Sequence, residues 1–270
     1  MSKLSEGKGV EIPVYEWLGK MGWTRRTSAD LKVYNRPLSN PLIEGILIER
    51  VSKINGVSLT DAKRAVDILK NTFANPSVIT ANEDFLDLLC SGVNLTIEGE
   101  DRTLKLIDFE NVWDNDFIVT RQYHVQGTDL VKPDLVCLIN GIPLIPFEAK
   151  QRAQQNSNWL KGVSDLSLYG TKIPKMMVCN LFGVASNGRL AKFGVPGASS
   201  SYFAEWKDLS VDMTSGNPLL KADQTLCPVA PDTDGIPTCQ IDGVEKMKQT
   251  IVGPAPAGAG AGHPAQRDGV

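Results

Sequence analysis

The chain has 270 residues, of which 42% are hydrophobic and 22% charged, values typical of a globular protein with one or two domains. Its 28 basic and 31 acidic residues give a net charge of -3, which excludes a strong overall attraction to nucleic acid. Five cysteines without a C-x-x-C pair argue against a disulfide framework or a zinc site. Because no signal peptide or membrane-length apolar stretch is found, we expect a soluble protein of the cytoplasm with no membrane contact.

The first part of the chain, residues 1–90, is predicted to be helical. Apolar residues recur with helical spacing over residues 9–21, which predicts an amphipathic helix ending near Gly22, with Glu11 beside its apolar stripe. The same pattern over 41–51 and 60–70 predicts two further helices, separated by a turn at Asn55-Gly56.

The second part, residues 91–210, has the alternation and the turns of a β-rich region, with one helix inserted. Two nearly all-apolar runs are expected to be strands covered on both faces, at 135–139 and 142–147. The other predicted elements are strands at 94–98, 103–108, 116–123, 176–179 and 183–186, and a helix at 159–169. The predicted fold class is α/β, a mixed central sheet flanked by helices.

One set of charged residues lies beside the two apolar strands. Asp134 precedes the first of them, and Glu148-Ala149-Lys150 ends the second, fourteen residues further on. Two carboxylates and a lysine on adjacent strands can hold a hard divalent cation and a polarised water against a phosphodiester. The spacing alone also arises by chance, but charged groups next to two buried strands would otherwise carry an uncompensated desolvation cost.

The turn between the strands decides whether these side chains can meet. Asn140-Gly141 favours a two-residue type I′ turn. In an unbroken ladder that turn would place Asp134 opposite Phe147 and send Glu148 to the other face. A three-residue loop or one β-bulge would instead pair Asp134 with Glu148, with Lys150 on the same face. We therefore predict one of these two irregularities.

The predicted site has catalytic, metal-binding and DNA-binding members. Asp134, Glu148 and Lys150 are the catalytic candidates, with Lys150 beside the attacking water. Mg²⁺ would be bound by Asp134, Glu148 and the Ala149 carbonyl, with Glu11 as a further candidate that helix-dipole effects also explain. The candidate DNA contacts are Arg152, Lys161 and Tyr169, although packing against the sheet is the other interpretation of Tyr169.

The segment 132–150 resembles the PD-(D/E)xK nuclease motif as it occurs in the N-terminal domain of the restriction subunit of type I restriction enzymes. Asn140-Gly141-Ile142-Pro143-Leu144, Ile173-Pro174 and Val184-Ala185-Ser186-Asn187-Gly188 follow the order found in that family. The resemblance covers about residues 5–210 and implies a PD-(D/E)xK core with a nuclease domain over 1–210. Residues 211–252 are predicted to be irregular, and the Gly, Ala and Pro-rich residues 253–270 to be a disordered tail.

The resemblance implies Mg²⁺-dependent cleavage of double-stranded DNA, in a complex with modification and specificity subunits. In that family an ATP-driven motor follows the nuclease domain. ATP is implied by the resemblance alone, since this chain has no phosphate-binding loop, and we therefore expect a truncated subunit. The alternatives are another PD-(D/E)xK nuclease of DNA repair or junction resolution, or an inactive remnant that docks partner subunits.

One residue departs from the family pattern. The family has a glutamine four residues before a tyrosine on the helix after the motif. Here Tyr169 is preceded at that distance by Asp165. We expect this additional negative charge to modulate cleavage or metal binding.

Overall fold

The computed structural model describes residues 10–150, 158–188, 190–195, 197–205, 209–211 and 218–220. The helices are α1 (Ile12–Lys20), α2 (Glu44–Asn55), α3 (Leu59–Asn71), α4 (Val78–Ser91), α5 (Asn158–Lys172) and α6 (Pro174–Val178). Four short 3-10 helices cover Asp30–Tyr34, Thr72–Ala74, Val112–Asp114 and Ser200–Tyr202. None of the helices in this described part of the chain is long and apolar enough to cross a membrane.

The strands assemble into one seven-stranded mixed sheet and three two-stranded sheets. The large sheet has the order β1-β4-β7-β8-β9-β10-β11, with parallel pairs β1/β4 and β8/β9 and antiparallel pairs elsewhere. Its strands are β1 (Thr24–Thr27), β4 (Phe117–Arg121), β7 (Leu135–Ile139), β8 (Ile142–Ala149), β9 (Gly183–Ser186), β10 (Ala191–Gly194) and β11 (Ala204–Glu205). The small sheets are β2 (Val93–Ile97) with β3 (Glu100–Leu104), β5 (Val125–Gln126) with β6 (Leu130–Val131), and β12 (Leu209–Val211) with β13 (Pro218–Leu220).

The predicted N-terminal helices are confirmed, and local capping explains their ends. Gly56 adopts a left-handed conformation, φ 61°, and ends α2. The Ser58 side chain accepts a hydrogen bond from the Asp61 amide and begins α3. Ser77 begins α4 in the same way. These caps satisfy backbone groups that a helix leaves unpaired at its ends.

One predicted strand is wrong, and two others lie outside the large sheet. Residues 176–179 were predicted as a strand, but α6 covers Pro174–Val178 because Pro174 pre-sets the helical φ at the first turn. A short run that is buried throughout does not separate strand from helix by its periodicity. The predicted strands near 94–98 and 103–108 form their own two-stranded sheet, outside the large one.

The core lies on both faces of the large sheet. Along β7, Leu135, Cys137 and Ile139 belong to one buried cluster, which α1, α3 and α4 help to form. Val136 and Leu138 belong to a second cluster, to which α5 and α6 contribute. Successive side chains of a strand point to opposite faces, so both faces of β7 are covered. The prediction that β7 and β8 are buried on both faces is confirmed.

Candidate active site

The β7-β8 hairpin combines a two-residue turn with a β-bulge. Asn140 and Gly141 both have positive φ, 52° and 83°, and Ile139 pairs with Ile142, as in a type I′ turn. The register then shifts, so that Cys137 pairs with Ile145 and Leu135 with Phe147. The predicted bulge is confirmed, and the three-residue loop is wrong. Continued by one residue, the shifted register puts Asp134 opposite Glu148.

Side-chain contacts fix the turn in place. Asn140 is fully buried; its Oδ1 accepts a hydrogen bond from the Asp116 amide at 2.8 Å, and its Nδ2 donates to the Leu106 carbonyl at 3.0 Å. At Gly141 a β-carbon would lie 2.7 Å from the Ile43 carbonyl oxygen, so a side chain is excluded there. The turn is thereby locked, and the extra residue has to be absorbed within the strands.

Pro146 lies in β8 beside this irregularity. Proline has no N–H to donate to a neighbouring strand, and inside sheets it is usually found in edge strands or at bulges. Because β8 lies between β7 and β9, it is not an edge strand, and the bulge accounts for a proline at this position.

The Asp134 carboxylate receives hydrogen bonds from both sides. The Ala149 amide donates to Oδ2 at 2.8 Å, which ties Asp134 to the end of β8. The Gln122 side-chain Nε2 donates to Oδ1 at 3.3 Å. The N–H and C=O of one strand residue point to the same neighbouring strand, so the Ala149 carbonyl is expected on the Asp134 side as well.

Glu148 and Lys150 form a buried ion pair on the same face. Their side chains meet at 2.9 Å, and the two residues are 4% and 8% exposed. Burial, with the neighbouring charge of Asp134, raises the pKa of Glu148 to about 7, against the lowering effect of Lys150 and Tyr169. Burial alone would lower the pKa of Lys150, but the carboxylates of Glu148 and Asp165 outweigh it and raise that pKa.

Helix α5 supplies two of the groups that contact this ion pair. Asp165 accepts an ion-pair contact from Lys150 at 2.7 Å, and the Tyr169 hydroxyl donates to Glu148. The two residues are four apart on the helix and therefore share a face. Gly162 lets α5 approach, since a β-carbon there would lie 3.0 Å from the Ala185 β-carbon and 3.4 Å from that of Glu148.

Glu11 lies next to the site but is paired elsewhere. Its carboxylate, 4% exposed, accepts a hydrogen bond from Arg121 Nε at 2.6 Å, and it also contacts the Gln122 side chain. Burial and the charge of Asp134 raise its pKa, although Arg121 opposes this. Glu11 is therefore close to Asp134 and is paired with Arg121, and its role as a metal ligand stays a prediction.

The oxygen donors of the site fit a hard cation such as Mg²⁺. Asp134 and Glu148 offer carboxylate oxygens, and Ala149 a carbonyl, the ligand types that Mg²⁺ prefers. In the described residues, no three His, Cys, Asp or Glu side chains are grouped closely enough to hold a metal ion together. A cation here would be bound by two carboxylates, a carbonyl and water.

The predicted DNA contacts have different outcomes. Lys161 is exposed, one turn from Asp165 on α5, and is accessible to a DNA phosphate. Tyr169 is 6% exposed and its hydroxyl donates to Glu148, which favours the packing interpretation, and its contact with DNA stays a prediction. Arg152 lies outside the described residues.

Sequence reasoning missed Arg121 and Gln122. Both come where β4 ends, and Arg121 pairs with Leu135, the residue after Asp134. The one indication in the sequence was a polar pair directly after an apolar strand, and such a pair does not show which residues it contacts. The role of these two residues could be recognised only once β4 was known to lie beside β7.

The fold and the site define a class. A mixed α/β sheet whose central hairpin carries two carboxylates and a lysine at one end is a restriction-endonuclease-like core. The family model for the type I restriction enzyme R protein N terminus matches residues 3–199, and the chain belongs to that family.

Two relatives illustrate the similarity. The type I restriction enzyme HindI endonuclease subunit of Haemophilus influenzae is 27% identical over 212 residues, 73% of this chain. A Methanocaldococcus jannaschii protein, named for the endonuclease subunit of the type I restriction enzyme MjaIXP, is 28% identical over 222 residues, 78% of this chain. The matched regions are 20% and 21% of these relatives, so the chain spans about a fifth of their length.

Proposed function

We propose that this chain is the nuclease domain of a type I restriction enzyme R subunit and hydrolyses phosphodiester bonds of double-stranded DNA with Mg²⁺. The observation that carries the proposal is the bulge in the β7-β8 hairpin. Without it, Asp134 and Glu148 would lie on opposite faces of the sheet. β-bulges are often found next to active sites, where they redirect side chains. This bulge aligns two carboxylates and a lysine on one face.

Each residue has a distinct task in this proposal. Asp134, Glu148 and the Ala149 carbonyl would bind Mg²⁺, which, when bound, stabilises negative charge on the phosphate and activates water. Lys150 stays protonated at neutral pH, because the nearby carboxylates raise its pKa. It therefore acts as a fixed cation that orients water and phosphate, and a role as proton acceptor is disfavoured.

Burial and the neighbouring charges set the pKa of Glu148. Its pKa of about 7 means that a sizeable share of the molecules carries a neutral Glu148 at neutral pH. A bound cation favours the charged form, so metal binding releases a proton from this carboxyl.

The remaining parts of the proposal concern the larger assembly. Lys161 would contact the DNA backbone, and the modification and specificity subunits would supply most of the DNA affinity, since the net charge is only -3. ATP would be used by a motor region of the larger assembly. We also infer action in the cytoplasm, where thiols such as the free Cys90, Cys137 and Cys179 stay reduced.

One observation favours a second candidate, an inactive remnant that keeps only a docking role. Lys150 is bound by Asp165 as well as by Glu148, at 2.7 Å and 2.9 Å. A lysine held by two carboxylates has less charge to offer to a phosphate. Cleavage by this chain is therefore expected to be slower than with glutamine at position 165.

Cleavage of supercoiled plasmid by the 270-residue chain tests the proposal. We expect Mg²⁺-dependent nicking that is lost in Asp134→Asn and Lys150→Met. Lys53→Met, an exposed lysine on α2, is the matched control and should cut like the wild type. Nicking that survives Asp134→Asn would reject the site, and a wild type that neither nicks plasmid nor binds Mg²⁺ at millimolar concentration favours the remnant.

A further inference from the structure

We propose that Gln122 is a positioning residue that orients the Asp134 carboxylate for its cation and separates it from Glu11. This inference rests on the proposed function, because it assigns Gln122 to the same metal site. The residue directly follows β4, the strand that pairs with β7, and lies between α1 and the start of β7.

The first observation is the hydrogen bonding of the Asp134 carboxylate. Its Oδ2 accepts from the Ala149 amide at 2.8 Å, and its Oδ1 from Gln122 Nε2 at 3.3 Å. The Ala149 contact comes from the backbone, whereas the Gln122 contact comes from a side chain and can be changed without altering the backbone donor. Gln122 is therefore a side-chain contact through which the orientation of the carboxylate can be tested.

The side-chain amide of Gln122 can also donate hydrogen bonds to two carboxylates at once. A glutamine NH₂ has two N–H donors, and the Gln122 side chain contacts both Asp134 and Glu11. A neutral donor between two carboxylates satisfies both without adding charge. Arg121, at 2.6 Å, compensates the charge of Glu11, the other carboxylate that Gln122 contacts.

The backbone of Gln122 points to a role for its particular side chain. Its φ is 52°, a left-handed conformation in which asparagine is much more common than glutamine. The conformation is fixed by a hydrogen bond from the Gln122 amide to the Asp134 carbonyl at 3.0 Å, and Ser28 donates to the Gln122 carbonyl. Backbone preference does not explain a glutamine here, whereas a side chain long enough to reach Asp134 does.

Calorimetric titration of Mg²⁺ into the complete chain tests this inference. Gln122→Met keeps the length of the side chain and removes its donors. Gln122→Asn keeps the amide, suits the left-handed backbone and is one methylene too short to reach Asp134. We expect both variants to bind Mg²⁺ about tenfold more weakly, as is usual when a residue that orients a metal ligand is lost.

Asp134→Asn and thermal unfolding are the controls. The melting temperature of Gln122→Asn should equal or exceed that of the wild type, which excludes a folding defect as the cause of weaker binding. If wild type binds Mg²⁺ through Asp134 and both Gln122 variants bind within twofold of it, the role of Gln122 is refuted. If wild type binds no Mg²⁺, or Asp134→Asn binds equally well, the proposed metal site itself is refuted.

Discussion

Substitution of Glu148 by glutamine should change how the stability of the chain depends on pH. Glu148 is 4% exposed, and burial with the charge of Asp134 raises its pKa from the ordinary 4.5 to about 7. Because the pKa is raised on folding, the unfolded chain loses this proton first as the pH increases. The stability associated with the proton is fully present below pH 4.5 and is lost as the pH rises through 7.

The size of the effect follows from the same two values. At about 1.4 kcal/mol per pKa unit, the difference between 4.5 and about 7 corresponds to a loss of about 3 kcal/mol in the wild type. Glutamine does not titrate, so Glu148→Gln lacks this loss. Lys150 stays protonated over this pH range in the wild type, because its pKa is raised. Glu11 titrates in both proteins and largely cancels in the comparison.

Urea unfolding in a metal-free buffer, followed by tryptophan fluorescence, measures the difference. The chain has five tryptophans, and Trp23 is buried in the core. Between pH 4.5 and pH 8, the free energy of unfolding of the wild type should fall by about 3 kcal/mol relative to Glu148→Gln. If the free energies of unfolding of the two proteins change in parallel over this pH range, the raised pKa of Glu148 is refuted.

Three further substitutions test the surroundings of the ion pair. Asp165→Gln removes one carboxylate from Lys150, and because Asp165 is partly exposed we expect about a fivefold rise in plasmid cleavage. An unchanged rate would show that Asp165 does not affect cleavage. Gly162→Ala brings a β-carbon within 3.0 Å of the sheet. The cost of overpacking, about 1–3 kcal/mol, should outweigh the gain of about 1 kcal/mol from the higher helix propensity of alanine, so the variant should be less stable in urea unfolding. A more stable variant would contradict the close approach of α5 to the sheet. Tyr169→Phe removes a donor to Glu148 and should cost about 1–3 kcal/mol at pH 8, measured by thermal unfolding; an unchanged melting temperature contradicts the bond.

The elements whose sequence pattern is set by burial could be predicted. Helices α1 to α3 have one apolar stripe each, and Gly56 and Ser58 signal the end of α2 and the start of α3. Strands β7 and β8 are almost entirely apolar because both their faces are covered. The bulge could be predicted as well, from chemistry. Only an irregular register brings Asp134 and Glu148 to the same face.

Other features depend on long-range contacts that the sequence does not display. Helix α6 and a buried strand have the same apolar composition, so its type is decided by Pro174 and by packing. The β2-β3 pair has ordinary strand alternation but no feature that reveals its separation from the large sheet. Gln122 becomes significant only when β4 is known to lie beside β7.

The proposed function requires that the bulged hairpin creates a divalent-cation site from Asp134 and Glu148. Crystals of the chain soaked in Mn²⁺, a substitute for Mg²⁺ with anomalous scattering, would locate such a cation. We expect an anomalous peak in contact with both carboxylates. A map without a peak at this hairpin, or with Mn²⁺ bound only elsewhere, would contradict it.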